Sequence, residues 1–306
     1  MGHPALKTLA LFAAVLGILV VVGGLLGEYL FGSWLVGLLV ALALSVVLNV
    51  VAYAASDRIV LWSTHAKIVT PAEAPRLAKI VDELAPKFGL VAPRLAIVPT
   101  PTPNAFATGR DERHAIVAAT EGILHLLNDR ELRGVLAHEL AHVRDRDVLL
   151  MTIAATLAGA ISFAAQMLIF SSLTGGGRRD VNPLLLLVAA VTAPFAALLL
   201  RLAISRNREY RADEVGASTI GDPEALASAL GKLESGNAKR PLTVGNPSQA
   251  SLYIVNPLRG RGLAGLFSTH PPIAERVRRL RAMHVDRTYR PTVRPVTIGP
   301  ARANRG

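Results

Sequence analysis

The sequence predicts a mostly helical membrane protein with four membrane-spanning helices and a small α+β domain. Hydrophobic residues make up 51% of the 306 residues, charged residues make up 18%, and the mean hydropathy is +0.41. Four long windows contain no charged residue: residues 8–27, 29–56, 148–177 and 181–200. Each holds about 20 residues or more, the length at which a helix crosses the hydrocarbon core of a bilayer.

Two of these assignments have alternatives. The first window could be a cleaved signal peptide, but it is longer than the apolar region of a usual signal peptide and is followed at once by the second window. The last two windows could form a buried hairpin in a soluble core, because Pro183, Pro194 and the glycines at 175–177 weaken the membrane pattern. We favour membrane helices in both cases.

Basic residues predict the orientation of the chain in the membrane. Lys7 precedes the first window, and Arg58 and Lys67 follow the second, whereas the turn between these windows carries only Glu28. Cytoplasmic loops are enriched in Lys and Arg. The N-terminus and residues 57–147 are therefore expected in the cytoplasm.

A cluster of arginines places the C-terminal region on the same side. The cluster follows the fourth window and consists of Arg201, Arg206, Arg208 and Arg211. Arg178 and Arg179 lie between the third and fourth windows and oppose this scheme, but they are outnumbered and Asp180 offsets one of them. We expect a multi-pass protein of the cell membrane, in contact with the lipid bilayer, whose soluble parts are cytoplasmic.

The absence of cysteine and the net charge exclude several classes of function. The chain contains no cysteine, which agrees with a reducing compartment and excludes disulfides, thiolate metal sites and a cysteine nucleophile. The net charge of +11 could indicate nucleic acid, but the basic residues cluster beside the apolar windows and in the C-terminal region, without interleaved aromatic residues. We favour membrane topology and contact with anionic lipid, and expect no nucleic-acid partner.

The segment between the second and third windows predicts a small α+β module. Residues 72–88 have the spacing of an amphipathic helix whose apolar side carries Leu77, Ile80, Val81 and Leu84. Residues 94–99, 105–108 and 115–118 are short apolar runs separated by Pro, Asn and Gly, so they are expected to form strands of a small sheet.

A histidine motif follows this module, and it reads His138-Glu139-Leu140-Ala141-His142. Asn128 and Glu131 have the spacing of a helix N-cap and its capping box, which places the motif in a helix. Histidines four apart leave one helical face and can hold one metal ion, while Glu139 can take the proton of a metal-bound water that attacks a peptide carbonyl. The alternative is a solvated helix with two unrelated histidines.

A pair of acidic residues later in the chain offers a candidate for the third metal ligand. Glu209 and Asp213 are four apart on the helix predicted after the fourth window. One carboxylate can bind the metal while the other accepts a hydrogen bond from a ligand imidazole. A surface face with mixed charges is the alternative, but a third ligand is still needed, so we predict one Zn²⁺ bound by His138, His142 and Glu209 with water in the fourth position.

The strand at 105–108 is a candidate for substrate binding. In many zinc peptidases an edge strand beside the metal helix pairs with extended substrate, and by analogy Asn104, Ala105 and Phe106 would do so here. A purely structural strand explains the sequence equally well.

Five stretches of the chain together resemble the HtpX-type membrane zinc metalloproteases, which are related to the CAAX prenyl endopeptidases. The stretches are residues 104–109, 138–142, 205–213, 253–257 and 268–272. The resemblance implies a zincin-like α+β catalytic domain, zinc bound by His138, His142 and Glu209, Glu139 as catalytic base and acid, and Asp213 as the acidic residue that supports a ligand. His270 matches a histidine near the metal, where it would steady the oxyanion or the closed state; the alternative is a helix-start residue before two prolines.

The resemblance also implies a role in quality control, namely endoproteolysis of misfolded or damaged membrane proteins at the cytoplasmic face. A prenyl-protein endopeptidase is one rival, but it would need a C-terminal C-a-a-X substrate and, in that family, more membrane spans. A non-catalytic membrane adaptor or holdase is the other, and the presence of Glu139 disfavours it.

These expectations divide the chain into five parts. Residues 1–56 form two membrane helices, 57–147 the half-domain with the histidine motif, 148–204 a membrane hairpin, 205–283 the half-domain with the third ligand, and 284–306 a basic, disordered tail. If one helix continues from His138 into the third window, the ligand lies about 15 Å from the start of that window at a rise of about 1.5 Å per residue.

Overall fold

The computed structural model describes Gly24, Glu28, residues 32–148, Met151, residues 206–239, Ile254 and residues 271–283. Most of the first and third apolar windows and all of the fourth lie outside the described residues. The predicted tail at 284–306 and His270 also lie outside them.

The first described helix, α1, is Trp34–Thr64 and contains most of the second apolar window. It begins at Ser33, whose hydroxyl accepts from the Val36 N–H, and ends at His65 in the left-handed conformation with φ 56°. Many of its large apolar side chains are exposed, among them Leu35, Leu39, Val46 and Val50. No helix among the described residues has the length and hydropathy of a membrane span, so the four predicted spans are not confirmed.

A four-stranded mixed sheet follows α1. Its strands are β1 Lys67–Val69, β2 Arg94–Val98, β3 Ala105–Thr108 and β4 Ile116–Thr120, in the order β1-β2-β4-β3. The pairs β1/β2 and β3/β4 are antiparallel and β2/β4 is parallel. The three predicted strands are confirmed within two residues, and β3 is an edge strand. Strand β1 was not predicted, because three residues are too few to show alternation.

Two further helices precede the helix of the histidine motif. Helix α2 is Pro75–Leu84 and continues as a 3-10 turn over Ala85–Phe88, which confirms most of the helix predicted at 72–88. Its buried face carries Leu77, Ala78, Ile80, Val81 and Leu84. Helix α3, Glu121–Leu126, directly follows β4 and is capped by the Thr120 hydroxyl, which accepts from the Ile123 N–H.

Helix α4, Asp129–Arg144, carries the histidine motif. Its predicted N-terminus is confirmed: Asn128 Oδ1 accepts from the Glu131 N–H at 2.9 Å, and Glu131 Oε2 accepts from the Asn128 N–H at 3.1 Å. The expectation that one helix continues from His138 into the third window is wrong. Arg146 has φ 59°, a left-handed conformation that an α-helix cannot contain, so the chain turns before it becomes helical again at Asp147.

Three more helices complete the described domain: α5 Arg206–Ile220, α6 Pro223–Lys239 and α7 Ile273–Arg281. Helix α5 packs closely on α4 because Gly216 has no side chain. A Cβ at Gly216 would lie 3.0 Å from the backbone N of His138 and 3.1 Å from the carbonyl carbon of Ala137. This close crossing brings the acidic residues of α5 beside the histidines of α4.

Candidate active site

His138 and His142 of α4 and Glu209 of α5 converge in the interior of the domain. All three are buried, and each offers one ligand atom that lies within 4.8 Å of the other two. Glu209 Oε1 is 3.4 Å from His142 Nε2, and Glu209 Oε2 is 3.7 Å from His138 Nε2. The structure therefore brings together the three residues that the sequence suggested as ligands.

The environment of these atoms fits a cation. His142 Nε2 is buried and makes no hydrogen bond to any described residue, an arrangement that costs free energy unless another group satisfies the atom. Burial by itself lowers the pKa of His142, but the nearby carboxylates of Asp147 and Glu209 outweigh burial and raise this pKa to about 10. The site thus favours positive charge, and two imidazoles with a carboxylate are ligands suited to a divalent transition metal or zinc.

His138 is supported by Asp213 one helical turn beyond Glu209. Asp213 Oδ1 lies 2.9 Å from His138 Nδ1, so this carboxylate can accept the Nδ1 proton and leave Nε2 turned towards Glu209. Asp213 is buried, as a residue with this role requires. The structure places it as the sequence suggested.

Sequence reasoning missed Arg276 of α7, which lies behind these residues and is fully buried. Its Nε and Nη2 donate to the two carboxylate oxygens of Asp213, and its Nη1 lies 3.7 Å from Glu209 Oε2. One signal could have found it. Arg276 lies three residues after Ile273 and four before Leu280, on the buried side of an otherwise arginine-rich helix.

Asp147 was also missed, and it supports the second histidine. Asp147 Oδ2 lies 3.4 Å from His142 Nδ1, and Asp147 Oδ1 lies 3.3 Å from Nη1 of Arg208. A helix that continued through this position would have directed the side chain differently. The turn at Arg146 is what brings Asp147 to His142.

Glu139, the neighbour of His138 on α4, contacts the edge strand β3. The side chain is buried, and its Oε2 accepts a hydrogen bond from the Ala107 N–H at 2.9 Å. Burial raises the pKa of Glu139, the nearby histidines lower it in part, and Glu209 raises it further. A carboxylate with a raised pKa and a fixed orientation is suited to taking and returning a proton.

Strand β3 lies beside α4, but its candidate side chains are buried. Asn104 Oδ1 accepts from the Ile254 N–H at 3.0 Å, and Phe106 is packed inside. Ala107 pairs in register with Val117 of β4 while its N–H reaches Glu139, so this backbone group is directed to α4. At its outer side, β3 can therefore offer backbone groups rather than side chains to a bound molecule.

Comparison with known proteins places these features in context. The model of the family described as "Peptidase family M48" matches residues 71–284. A protein named Protease HtpX homolog from Syntrophobacter fumaroxidans is 48% identical over 283 residues, which cover 90% of this chain and 98% of that protein. A protein of the same name from Thermococcus kodakarensis is 48% identical over 280 residues, covering 90% of this chain and 94% of the relative.

Among solved structures, the crystal structure of Ste24p from S. mikatae is similar with a TM-score of 0.44 and 19% sequence identity. The similarity covers 90% of this chain, which spans 64% of that longer chain.

Proposed function

Because the chain belongs to peptidase family M48, we propose that it is a zinc-dependent endopeptidase of the cell membrane. Its substrates would be misfolded or damaged membrane proteins, cut at the cytoplasmic face. One observation carries the proposal. His138, His142 and Glu209 offer three converging, buried ligand atoms, and the carboxylate of Glu139 lies beside them.

His138, His142 and Glu209 would hold the zinc ion. When bound, zinc would lower the pKa of a coordinated water and polarise the scissile carbonyl. Glu139 takes a proton from the water as the water oxygen attacks the carbonyl carbon. It then returns the proton to the amide nitrogen as the C–N bond breaks. The Ala107 N–H holds one oxygen of Glu139, which keeps the carboxylate aimed at the water.

Substrate would lie extended along β3. An added strand on the outer side of β3 would bond to the backbone of Ala105, next to the Ala107 N–H that holds the carboxylate of Glu139, while Phe106 pairs with β4. In this arrangement Asn104 acts indirectly. Its side chain holds the backbone of Ile254, and its own N–H donates to the Thr120 hydroxyl, so the strand enters the site in a fixed position. His270 would act near the metal, as the family resemblance implies.

Membrane attachment is supported by the connection between the ligands. Helices α4 and α5 carry ligands to one site, although residues 145–205 separate the two helices in the chain. A connection that crosses a bilayer and returns to the same site makes an even number of crossings. The two apolar windows within it, at 148–177 and 181–200, agree with a hairpin of two spans.

The proposal is tested with the purified full-length chain in detergent, loaded with zinc. Cleavage is followed on an unfolded membrane protein and on a prenylated peptide that ends in C-a-a-X. We expect cleavage of the first, at internal peptide bonds, and none by the Glu139→Gln variant. Glu234→Gln, on the exposed side of α6, is the matched control and should cleave like wild type. Cleavage of the prenylated peptide alone would assign the rival activity, and cleavage of neither would favour an adaptor.

A further inference from the structure

We propose that Asp147, held by Arg208, is a positioning residue for the second metal histidine. The inference rests on the proposed function, because the orientation of His142 matters to zinc only if His142 binds zinc. It adds two residues that neither the sequence motifs nor the ligand set requires.

The contacts form a short relay. His142 directs Nε2 towards Glu209 and Nδ1 towards Asp147, at 3.4 Å in each case. Asp147 Oδ2 can therefore accept from Nδ1–H and hold the proton there, so that Nε2 is the nitrogen that gives up its hydrogen when a metal binds. The other carboxylate oxygen of Asp147 pairs with Arg208 at 3.3 Å, and both of these side chains are only 16% exposed.

The relay repeats the arrangement behind the first histidine. His138 directs Nδ1 to Asp213, and Asp213 in turn is held by Arg276. Each ligand histidine is thus followed by an aspartate and then by an arginine, and both Nε2 atoms face Glu209. Aspartates that orient ligand histidines in this way tune metal affinity, and their loss costs about 10- to 100-fold in affinity or activity.

Asp147 and Arg208 also lie at a particular place in the chain. Asp147 follows the turn that ends α4, and Arg208 lies in the first turn of α5, so the pair joins the two ends of the segment 149–205. A neighbouring ion pair, Asp145 with Arg211 at 2.8 Å, joins the same two helices. The side chain of Asp145 contacts Arg144 and Arg211 rather than a ligand histidine, which makes it a matched control.

The test measures zinc affinity by chelator competition on the full-length protein in detergent. Asp147→Ala should weaken zinc binding by about 10- to 100-fold, and Arg208→Ala should weaken it less, because it leaves the carboxylate in place. The double variant should bind zinc no more weakly than Asp147→Ala, since the arginine acts through the aspartate. Asp145→Ala should bind like wild type.

Asp147→Asn provides a second variant of the same shape, should Asp147→Ala fail to fold. Its amide oxygen can still accept the Nδ1 proton but lacks the charge, so zinc affinity should fall between wild type and Asp147→Ala. The absorption spectrum of bound Co²⁺ is an independent readout, which we expect to change in the Asp147 variants and not in Asp145→Ala.

Three results would overturn the inference. The inference is wrong if both Asp147 variants bind zinc with wild-type affinity. It is also wrong if Asp145→Ala loses as much zinc affinity as Asp147→Ala, because the effect would then belong to the junction of α4 and α5 as a whole. In both cases the proposed function survives, because wild type still binds zinc and cleaves. A wild-type protein that binds no zinc would overturn both proposals together.

Discussion

Arg276 and Asp213 form a buried, two-pronged ion pair, with Nε and Nη2 of the arginine 2.8 and 2.6 Å from the carboxylate oxygens. Burial on its own would raise the pKa of Asp213, but the charge and the hydrogen bonds of Arg276 hold that pKa below its usual value. Asp213 therefore stays ionised and keeps accepting from His138. Arg276 also lies near Glu209, so one guanidinium offsets two buried carboxylates.

Replacing Arg276 by Met should destabilise the protein by about 3–5 kcal/mol, because the carboxylate of Asp213 would remain buried with its charged partner removed. Arg276→Lys should have a smaller effect, since it keeps the charge but cannot make the two-pronged contact. Chemical unfolding of the zinc-loaded protein measures the difference. Arg278→Met is the control, because Arg278 lies on the exposed side of α7 and pairs with Glu275 at the surface. Equal stability of the Arg276→Met and Arg278→Met variants would contradict the role of Arg276.

Metal analysis of the purified protein should give one zinc per chain. His142→Ala should lower zinc affinity strongly, because two ligands remain where three protein ligands plus water make a full tetrahedral set. His125→Ala is the matched control, since His125 is exposed on α3 and should not affect zinc. Zinc binding by His142→Ala at wild-type affinity would show that His142 is not a ligand.

The parts of the site that were predictable depend on short-range rules. The capping box of Asn128 and Glu131 and the spacing of His138 and His142 act within one or two helical turns, so the sequence displays them directly. Glu209 was proposed as the third ligand from the chemistry that zinc requires rather than from its position. Its approach to α4 depends on a close helix crossing at Gly216, which a sequence pattern does not reveal.

The parts that were missed depend on contacts between distant segments. Arg276 sits among other arginines, and its partner Asp213 lies 63 residues earlier in the chain. Asn104 was interpreted as a substrate contact, yet its amide oxygen binds the backbone of Ile254, 150 residues later. The contact of Asp147 with His142 was not predicted, because the helix of the histidine motif was expected to continue past Asp147. The turn at Arg146 coincides with ion pairs to α5, and local propensity does not encode those pairs.

Glu139→Gln should keep zinc at one ion per chain and lose turnover by orders of magnitude in kcat. Glutamine has a similar shape, and its amide oxygen can still accept from the Ala107 N–H, but it cannot take a proton from water. Zinc content and steady-state kinetics on one preparation separate these two effects. Proteolysis near the wild-type rate would rule out Glu139 as the base, whereas loss of zinc together with activity would indicate a structural role.

The last prediction concerns the side of the membrane on which the site lies. Because the side chains of His138 and His142 on α4 and of Glu209 on α5 meet at one place, the two helices must lie on the same side of any membrane that residues 149–205 cross. The basic residues at Arg58 and Lys67 favour the cytoplasmic side. The natural chain lacks cysteine, so each introduced cysteine is the only thiol to be labelled.

Single cysteines at Val91, which is 75% exposed beyond α2, and at Glu214, which is exposed on α5, report on the two half-domains. Both should react with a membrane-impermeant maleimide only after the cells are permeabilised. A cysteine at Leu35, which is 60% exposed on α1, should stay unlabelled in both conditions if the bilayer covers that helix. Labelling of Val91→Cys and Glu214→Cys in intact cells would reverse the orientation. Labelling of the two from opposite sides would contradict the shared metal site, because one zinc ion could not then be bound by ligands from both helices.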